Sequence, residues 1–291
     1  MNSLSFLREY YEVLTIQNMV SDHFTIVVRG GGDIATGSIY RLYKAGFSIV
    51  VLEIESPRVV RRQVAAAQCV FVGQHLVEGV CFQKTDIVNI NDLDPGVIPV
   101  VVDPSGHSIS EVNPNVVIDA RMLKRNIDTT NQLADLVVGL GPGFIVGDHC
   151  DVVVETQRGH KLGRVYSQEG VGAIPDTRVP EEVNGYRNER VLRAPCAGIM
   201  KSQKIAIGDI VSKGAIIALV GLEEVRAPFA GVLRGLIQDG LQVDDCEKIG
   251  DVDPRGIREH CFQISDKALA IGGGVLEAVM NWVSSRNYQS R

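Results

Sequence analysis

Three things that the sequence lacks exclude several classes of function. No apolar run approaches the roughly 18 residues of a membrane-spanning helix. Basic residues are outnumbered, 29 against 35, and the net charge of −6 argues against a nucleic-acid-binding protein, which normally carries a basic face. The six cysteines form no Cys-x-x-Cys pair, and scattered thiols are typical of a reducing compartment. We therefore expect a cytoplasmic protein that binds neither membranes nor nucleic acid.

Aromatic residues are also scarce, at 5%, whereas glycine is abundant. The 30 glycines in 291 residues are about 10% of the chain, against a usual share of about 7%. Hydrophobic residues make up 45%, as in globular proteins, and the length suits about two domains. This composition favours tight turns between buried strands.

The chain divides by pattern into five segments. Strand and helix patterns alternate through the first large segment, which predicts an α/β domain with a Rossmann-like parallel sheet. Clustered glycine, proline and charge then predict a linker, followed by a small β-sandwich and a C-terminal strand and helix. Because Met19 stands just before the first strand, residues 1–18 are either a peripheral helix or a misassigned start. The predicted segments are 1–21 (peripheral), 22–165 (Rossmann-like), 166–190 (linker), 191–254 (sandwich) and 255–291 (strand and helix).

Individual elements follow from the spacing of apolar residues. Helical spacing predicts helices over Ile34–Ala45 and Arg58–Gln68, and a terminal helix over Val275–Val283, after a glycine triplet. Runs of valine, isoleucine and leucine predict six buried strands. These strands are Phe24–Arg29, Ser48–Leu52, Val97–Val102, Val116–Asp119, Leu136–Leu140 and Asp151–Glu155.

A glycine cluster lies between the first strand and the first helix. Gly30, Gly32 and Ala35 fit G-x-G-x-x-A, whose glycines let the backbone approach a pyrophosphate at a helix N-terminus. Glu53 stands where an acidic residue would bond a ribose hydroxyl, but Asp33 places a negative charge where phosphate would lie. A turn without a ligand and a nucleotide site both stay open. The residues of that site would be Gly30, Gly31, Gly32, Asp33, Ile34, Ala35 and Glu53.

Two further glycine patterns were compared with known phosphate-binding loops. A P-loop is excluded because Ser38 occupies the position of the phosphate-binding lysine. A second cluster, Gly139, Gly141 and Gly143, follows a predicted strand. It predicts either a second phosphate cradle or a reversal of the chain around Pro142.

Polar residues that follow predicted strands are the catalytic candidates. In a parallel sheet such positions line the ligand crevice. Asp103 or His107 would move protons, and Asp119, Arg121 and Lys124 would hold an anionic substrate. A purely structural role in helix capping or surface ion pairs is an equally good explanation for these five residues.

One group of potential metal ligands stands side by side at 148–151, as Asp-His-Cys-Asp. Adjacent residues of an extended segment point to opposite faces, so the four cannot close on one ion. We therefore predict no metal site.

An internal repeat follows the linker. Ala194-Pro-Cys-Ala-Gly198 recurs as Ala227-Pro-Phe-Ala-Gly231, and neither half could bury its apolar face alone. The repeat resembles the biotinyl/lipoyl-carrier type of barrel-sandwich hybrid. In carriers the modified lysine lies on the hairpin between the halves, here residues 220–225, which contain no lysine. We expect no biotin or lipoate, and a sandwich that serves as a docking module.

The chain as a whole resembles the selenium-dependent molybdenum hydroxylase system proteins, an accessory family of the YqeB type. The segments that carry this resemblance are 28–37, 53–61, 103–107, 119–124, 139–147, 155–164 and 193–198. The resemblance implies help in the maturation of a molybdenum hydroxylase, with that enzyme or its cofactor-assembly proteins as partners. It also implies a crevice for NAD(P) or a molybdopterin-type dinucleotide, and homo-oligomers are compatible with it. A stand-alone NAD(P)-dependent oxidoreductase and a non-enzymatic docking scaffold are the alternatives.

Overall fold

The computed structural model describes residues 24–88, 93–176, 184–186 and 188–289. The predicted peripheral segment, 1–21, lies outside these residues, as does part of the predicted linker. The described residues form a nine-stranded sheet and two four-stranded sheets, with helices against the larger sheet. This arrangement confirms the predicted α/β class.

The large sheet is built from strands whose residues are almost all apolar. Its strands are β1 Thr25–Arg29, β2 Ser48–Glu53, β3 Gln74–Val77, β4 Val80–Thr85, β5 Val97–Val102, β6 Val116–Asp119, β7 Leu136–Leu140, β8 Val152–Val154 and β9 Val165–Tyr166. They lie in the order β3-β4-β5-β2-β1-β6-β7-β8-β9. The seven central strands are parallel, and only the two edge strands, β3 and β9, run antiparallel to their neighbours. All six predicted strands are present, whereas the antiparallel edges were not predicted.

The strand order reverses next to β1. The chain runs from β1 outward through β2 on one side, then returns to place β6 on the other side of β1. At such a switch point the loops at the carboxyl ends of neighbouring strands separate and leave a crevice. A ligand site of this sheet is therefore expected beyond β1 and β6.

Four α-helices occur among the described residues: α1 Asp33–Lys44, α2 Cys69–Val72, α3 Ser108–Val112 and α4 Asp266–Gln289. Helix α1 confirms the prediction over Ile34–Ala45. The prediction of one helix over Arg58–Gln68 is wrong, because that stretch forms only two short 3-10 turns separated by the extended residue Ala65. The amides of Ala66 and Ala67 donate to Thr36 Oγ1 and to the Gly31 carbonyl, so tertiary partners replace helical ones.

Helix α4 begins earlier than predicted and runs through the glycine triplet at 272–274. It packs along α1, and its residues Ala268, Ile271 and Val275 belong to the core of the large sheet. A Cβ on Gly272 would lie 2.5 Å from the carbonyl oxygen of Gly37. The triplet therefore allows two helix backbones to touch rather than ending a helix.

The remaining strands form two antiparallel sheets around a separate core. They are β10 Val191–Arg193, β11 Gly198–Ser202, β12 Ile210–Val211, β13 Ile216–Val220, β14 Glu223–Arg226, β15 Gly231–Leu236, β16 Gln242–Val243 and β17 Lys248–Asp253. The sheet orders are β10-β17-β15-β12 and β14-β13-β11-β16. The first alanine of each copy of the repeat, Ala194 and Ala227, is buried. The paired motifs therefore hold equivalent packing positions in this β-sandwich.

Candidate functional site

A cleft of about 500 Å³ lies between the large sheet and the sandwich. On the sheet side it is formed by the start of α1 and by loops that follow the carboxyl ends of β2, β6, β7 and β8. On the sandwich side it is formed by the start of β10 and by strands β15 and β17. The lining includes Asp33, Ile34, Arg61, Met122, Lys124, Pro142, Thr156, Gln157, Arg158, Arg190, Arg193, Arg234, Lys248, Asp251, Asp176 and Lys267.

Positive charge dominates the lining of this cleft. Eight basic side chains face three carboxylates, which leaves an excess of five positive charges in a protein whose net charge is −6. A concave surface lined by charge of one sign concentrates ligands of the opposite sign. The cleft is therefore suited to an anion that carries several charges.

Three of these cations are paired with carboxylates. Arg158 forms two bonds to Asp266, of 2.5 and 2.6 Å. The Lys124 ammonium lies 2.7 Å from Asp176, and Arg190 lies 2.7 Å from Asp251. These pairs fix the rim of the cleft and leave only part of its positive charge unbalanced.

Arg61, Arg234 and Lys248 are less well compensated. Arg61 is 3.4 Å from Asp33 and otherwise donates to backbone carbonyls, while its Nε has no partner. Arg234 lies 3.8 Å from both Asp251 and Asp253, and its Nε is unpartnered too. Burial lowers the pKa of Arg234, and Arg61 lowers it further. Lys248, the first residue of β17, is exposed and lines the cleft.

The loop after β6 is held over the crevice by a buried ion cluster. Arg29 is 3% exposed and donates from both terminal nitrogens to the Asp128 carboxylate at 2.9 Å. Arg121 donates to Asp119 and to Asp128, each at 2.6 Å, and the Thr129 hydroxyl donates to Asp119. Although burial acts to raise it, bonds from the two arginines lower the pKa of Asp128 to about 2.

This clamped loop brings Met122 and Lys124 to the cleft in an unusual conformation. Their φ angles are 58° and 65°, in the left-handed region, which costs a non-glycine residue about 1 kcal/mol or more. Such strain persists only where surrounding contacts over-determine the backbone. The ion cluster supplies those contacts.

The predicted glycine site at the start of α1 is partly occupied by the protein itself. The Gly30 amide donates to the Leu52 carbonyl, and the Gly31 amide donates to Glu53 Oε2 at 2.7 Å. A Cβ on Gly31 would lie 2.9 Å from the amide nitrogen of Ala67. Burial raises the pKa of Glu53, against the lowering effect of its bonds from Ile54 and Gly31.

Of the seven residues predicted for that site, Asp33 and Ile34 line the cleft. Gly30, Gly31 and Gly32 form the turn from β1 into α1, Ala35 lies in α1 and Glu53 ends β2, and none of the five is among the described lining residues. Ligand binding by the seven stays a prediction.

The second glycine cluster also packs against protein atoms. A Cβ on Gly139 would meet the Phe144 ring, one on Gly141 the Thr156 side chain, and one on Gly143 the Arg125 backbone. The described residues that line the cleft include Pro142 but none of these three glycines. The chain reversal predicted around Pro142 is therefore the visible role of the cluster, and a phosphate cradle there stays a prediction.

The five catalytic candidates lie in three places. Lys124 lines the cleft, and Asp119 and Arg121 belong to the ion cluster beneath it. Asp103 accepts bonds from the amides of Gly106 and Ser108 and from the Ser105 hydroxyl, and the carbonyl of His107 accepts the Ser110 hydroxyl. Lys124 is thus the candidate best placed to contact a ligand.

Asp103→Ala is expected to lower the free energy of unfolding at pH 7 by about 1 kcal/mol, because it removes three hydrogen bonds that order a turn. Although burial acts to raise it, bonds from Ser108 and Ser105 lower the pKa of Asp103 to about 2. The folded pKa is below the unfolded value of about 3.9, so this stabilisation is present above about pH 4 and is lost as the pH falls towards 2. Urea unfolding between pH 7 and pH 2.5 measures it. The exposed Asp245→Ala is the control, and equal losses in the two variants would contradict this role.

Lys124 was predicted from the sequence, but four other cations of the cleft were missed. Arg61, Arg190, Arg234 and Lys248 come from four separate segments that only the tertiary structure joins. One residue could have been noticed. Arg234 is the only charged residue of the strand Gly-Val-Leu-Arg-Gly-Leu, and burying a charge there is costly unless it is paired or hydrogen-bonded.

Residues 148–151 serve local structure. His149 Nδ1 accepts the Ile145 amide, Asp151 accepts the Val137 amide, and Cys150 is buried. Among the described residues, no group of three or more His, Cys, Asp or Glu side chains is arranged to hold a metal ion. In the same part of the chain, every helix is too short or too polar to cross a membrane.

Comparison with known proteins gives one strong similarity. The chain is 47% identical over 263 residues to "Uncharacterized protein YqeB" of Escherichia coli (strain K12), and the match covers 89% of this chain and 48% of that protein. The chain therefore spans about half the length of the curated relative it matches. No protein-family model matches the chain.

Among solved structures, the apo structure of the ectoine utilization protein EutE (DoeB) from Ruegeria pomeroyi matches at 12% identity. The match covers 80% of this chain and 86% of that one, with a TM-score of 0.23, which is too low to relate the two folds. The sequence similarity, by contrast, supports the predicted resemblance to the YqeB family over nearly the whole of this chain.

Proposed function

We propose that this protein is an accessory protein of a molybdenum hydroxylase and that it binds a phosphate-bearing, nucleotide-type ligand in the cleft between its sheet and its sandwich. NAD(P) and a molybdopterin-type dinucleotide are the candidate ligands. The observation that carries the proposal is the excess of five positive charges in a cleft of about 500 Å³. Ligand pockets of drug-sized molecules have volumes of about 300–1,000 Å³.

The position of the cleft supports the same ligand class. It lies beyond the carboxyl ends of parallel strands, beside the β1/β6 switch point, where α/β sheets bind nucleotides. The first turn of α1 opens onto it through Asp33 and Ile34. Helix N-termini favour anions, although here Asp33 would have to stay paired with Arg61.

The accessory role is supported by the resemblance to YqeB-type proteins and by the sandwich. The turn between β13 and β14, where a carrier would hold its modified lysine, contains Gly221 and Leu222 instead. Leu222 is 95% exposed. The hairpin therefore lacks the lysine that would carry a covalent group, which favours a docking role for the sandwich over a carrier role.

Isothermal titration calorimetry tests the ligand class. At low ionic strength we expect saturable binding of pyrophosphate, of NADP or NAD, or of molybdopterin cofactor, and no binding of cytidine, which lacks phosphate. Binding should weaken as salt screens the cleft. Absence of binding by every phosphate-bearing compound would remove the proposal.

Deletion of the gene in the source organism tests the accessory role. We expect a fall in the activity of its molybdenum hydroxylase, restored by the wild-type gene. Unchanged hydroxylase activity, together with NAD(P) turnover by the purified protein alone, would favour a stand-alone oxidoreductase.

A further inference from the structure

We propose that the phosphate or diphosphate group of the ligand is bound by Arg61, Arg234 and Lys248, so that the sandwich supplies two of the three cations of the anion site and the glycine loop only positions α1. This inference rests on the proposed function, and it assigns the binding of the ligand's charge to residues that no sequence motif marks. It also gives the sandwich a second role beside docking.

The three cations are neighbours although they belong to different parts of the fold. Arg61 follows β2 of the large sheet, whereas Arg234 and Lys248 belong to β15 and β17. Arg234 feels the charge of Arg61, and Lys248 feels the charges of Arg234 and Asp33. Asp33 in turn lies 3.4 Å from Arg61. The group therefore faces one region of the cleft from both sides.

The carboxylates near this group are already engaged elsewhere. Asp251 is bound by Arg190 at 2.7 Å and Asp253 by Arg255 at 2.6 Å, whereas Arg234 stands 3.8 Å from each. Because these carboxylates bond more closely to other arginines, the guanidinium group of Arg234 does not use all of its hydrogen-bond donors.

Unused donors confirm that the cations are under-satisfied. The Arg61 side chain is 9% exposed, and the Arg234 side chain 15%, yet Nε of each lacks a hydrogen-bond partner. A buried donor without a partner is unfavourable, and more so when the group is charged. A bound phosphate would accept from both guanidinium groups and would offset their mutual repulsion.

In the glycine loop, by contrast, two amides already donate to protein acceptors. The amides of Gly30 and Gly31 donate to Leu52 and Glu53. The backbones of Arg121 and Ala67 fill the space beside these two glycines. Asp33 adds a negative charge at the first position of α1. A phosphate would therefore meet stronger partners on the sandwich side.

Matched variants separate the two sites. Arg234→Met and Lys248→Met remove the proposed donors, while Arg226→Met and Lys213→Met remove exposed cations of the same sandwich outside the cleft. Gly32→Ala probes the loop, since its Cβ would meet only the Val59 side chain at an ordinary 3.8 Å. Thermal unfolding first establishes that each variant is folded.

With pyrophosphate as the probe, calorimetry should show a loss of affinity of about tenfold or more in Arg234→Met and in Lys248→Met. Gly32→Ala and the two control variants should bind as the wild type does.

Three results would overturn the inference. If the wild type binds pyrophosphate and both cleft variants bind it equally well, the anion lies elsewhere while the proposed function stands. A loss confined to Gly32→Ala would place the anion on the glycine loop. If the wild type binds no phosphate compound, the proposed function and this inference fail together.

Discussion

Gly272→Ala is expected to lower the free energy of unfolding by about 2–3 kcal/mol, as overpacking of a rigid contact does. The added Cβ would lie 2.5 Å from the carbonyl oxygen of Gly37 and 2.9 Å from its carbonyl carbon. These are backbone atoms of α1, so no side chain can turn away to make room, and α4 must shift from α1. Chemical denaturation measures the change.

Gly273→Ala, one residue further along the same helix, is the matched control. Gly273 is exposed, and a Cβ there would meet nothing within 4 Å. Alanine favours a helix over glycine by about 0.5–1 kcal/mol, so this variant should be more stable than the wild type. Equal effects of the two substitutions would contradict the close crossing of α1 and α4.

Arg29→Met is expected to lower the free energy of unfolding by about 1.5–3 kcal/mol, because it removes the charge-assisted hydrogen bonds of a buried guanidinium, although Asp128 is 39% exposed and keeps its bond from Arg121. The substitution removes both bonds to Asp128 and the bond to Thr129. Arg121 then remains the one charged side chain of the cluster that faces Asp128. The loop that carries Met122 and Lys124 should loosen, so affinity for a phosphate compound should fall as well.

Arg226→Met provides the comparison for this loss. Arg226 pairs with Glu224, and both side chains are largely exposed. Exposed pairs of this kind contribute about 0–1 kcal/mol. A small and equal change in both variants, measured by urea unfolding, would show that the Arg29 cluster does not hold the loop.

The strands of the large sheet could be predicted because burial on both faces requires nearly continuous apolar runs, such as Val116–Asp119 and Leu136–Leu140. Two expectations about helices were wrong for the same kind of reason. The stretch 58–68 has helical spacing, but its amides bond to Thr36 and Gly31. The triplet 272–274 has the composition of a turn, but it meets another helix. Tertiary contacts decided both cases, and local pattern does not contain them.

The candidate site was predictable only in part. The sequence pointed correctly to the carboxyl ends of the strands, where Asp33, Ile34 and Lys124 line the cleft. It did not point to the sandwich. Arg61 lines the same cleft as Arg234 and Lys248 only because of the way the large sheet and the sandwich pack together. Glycines 30 and 31, which suggest ligand approach, instead lie against the protein's own backbone.

A crystal structure of the protein with its tightest-binding phosphate compound would show directly where the anion binds. We expect density for the phosphate group in the cleft, within hydrogen-bond distance of Arg234 and of Lys248 or Arg61. Phosphate density outside the cleft, with Arg61 and Arg234 still unpartnered at Nε, would contradict it.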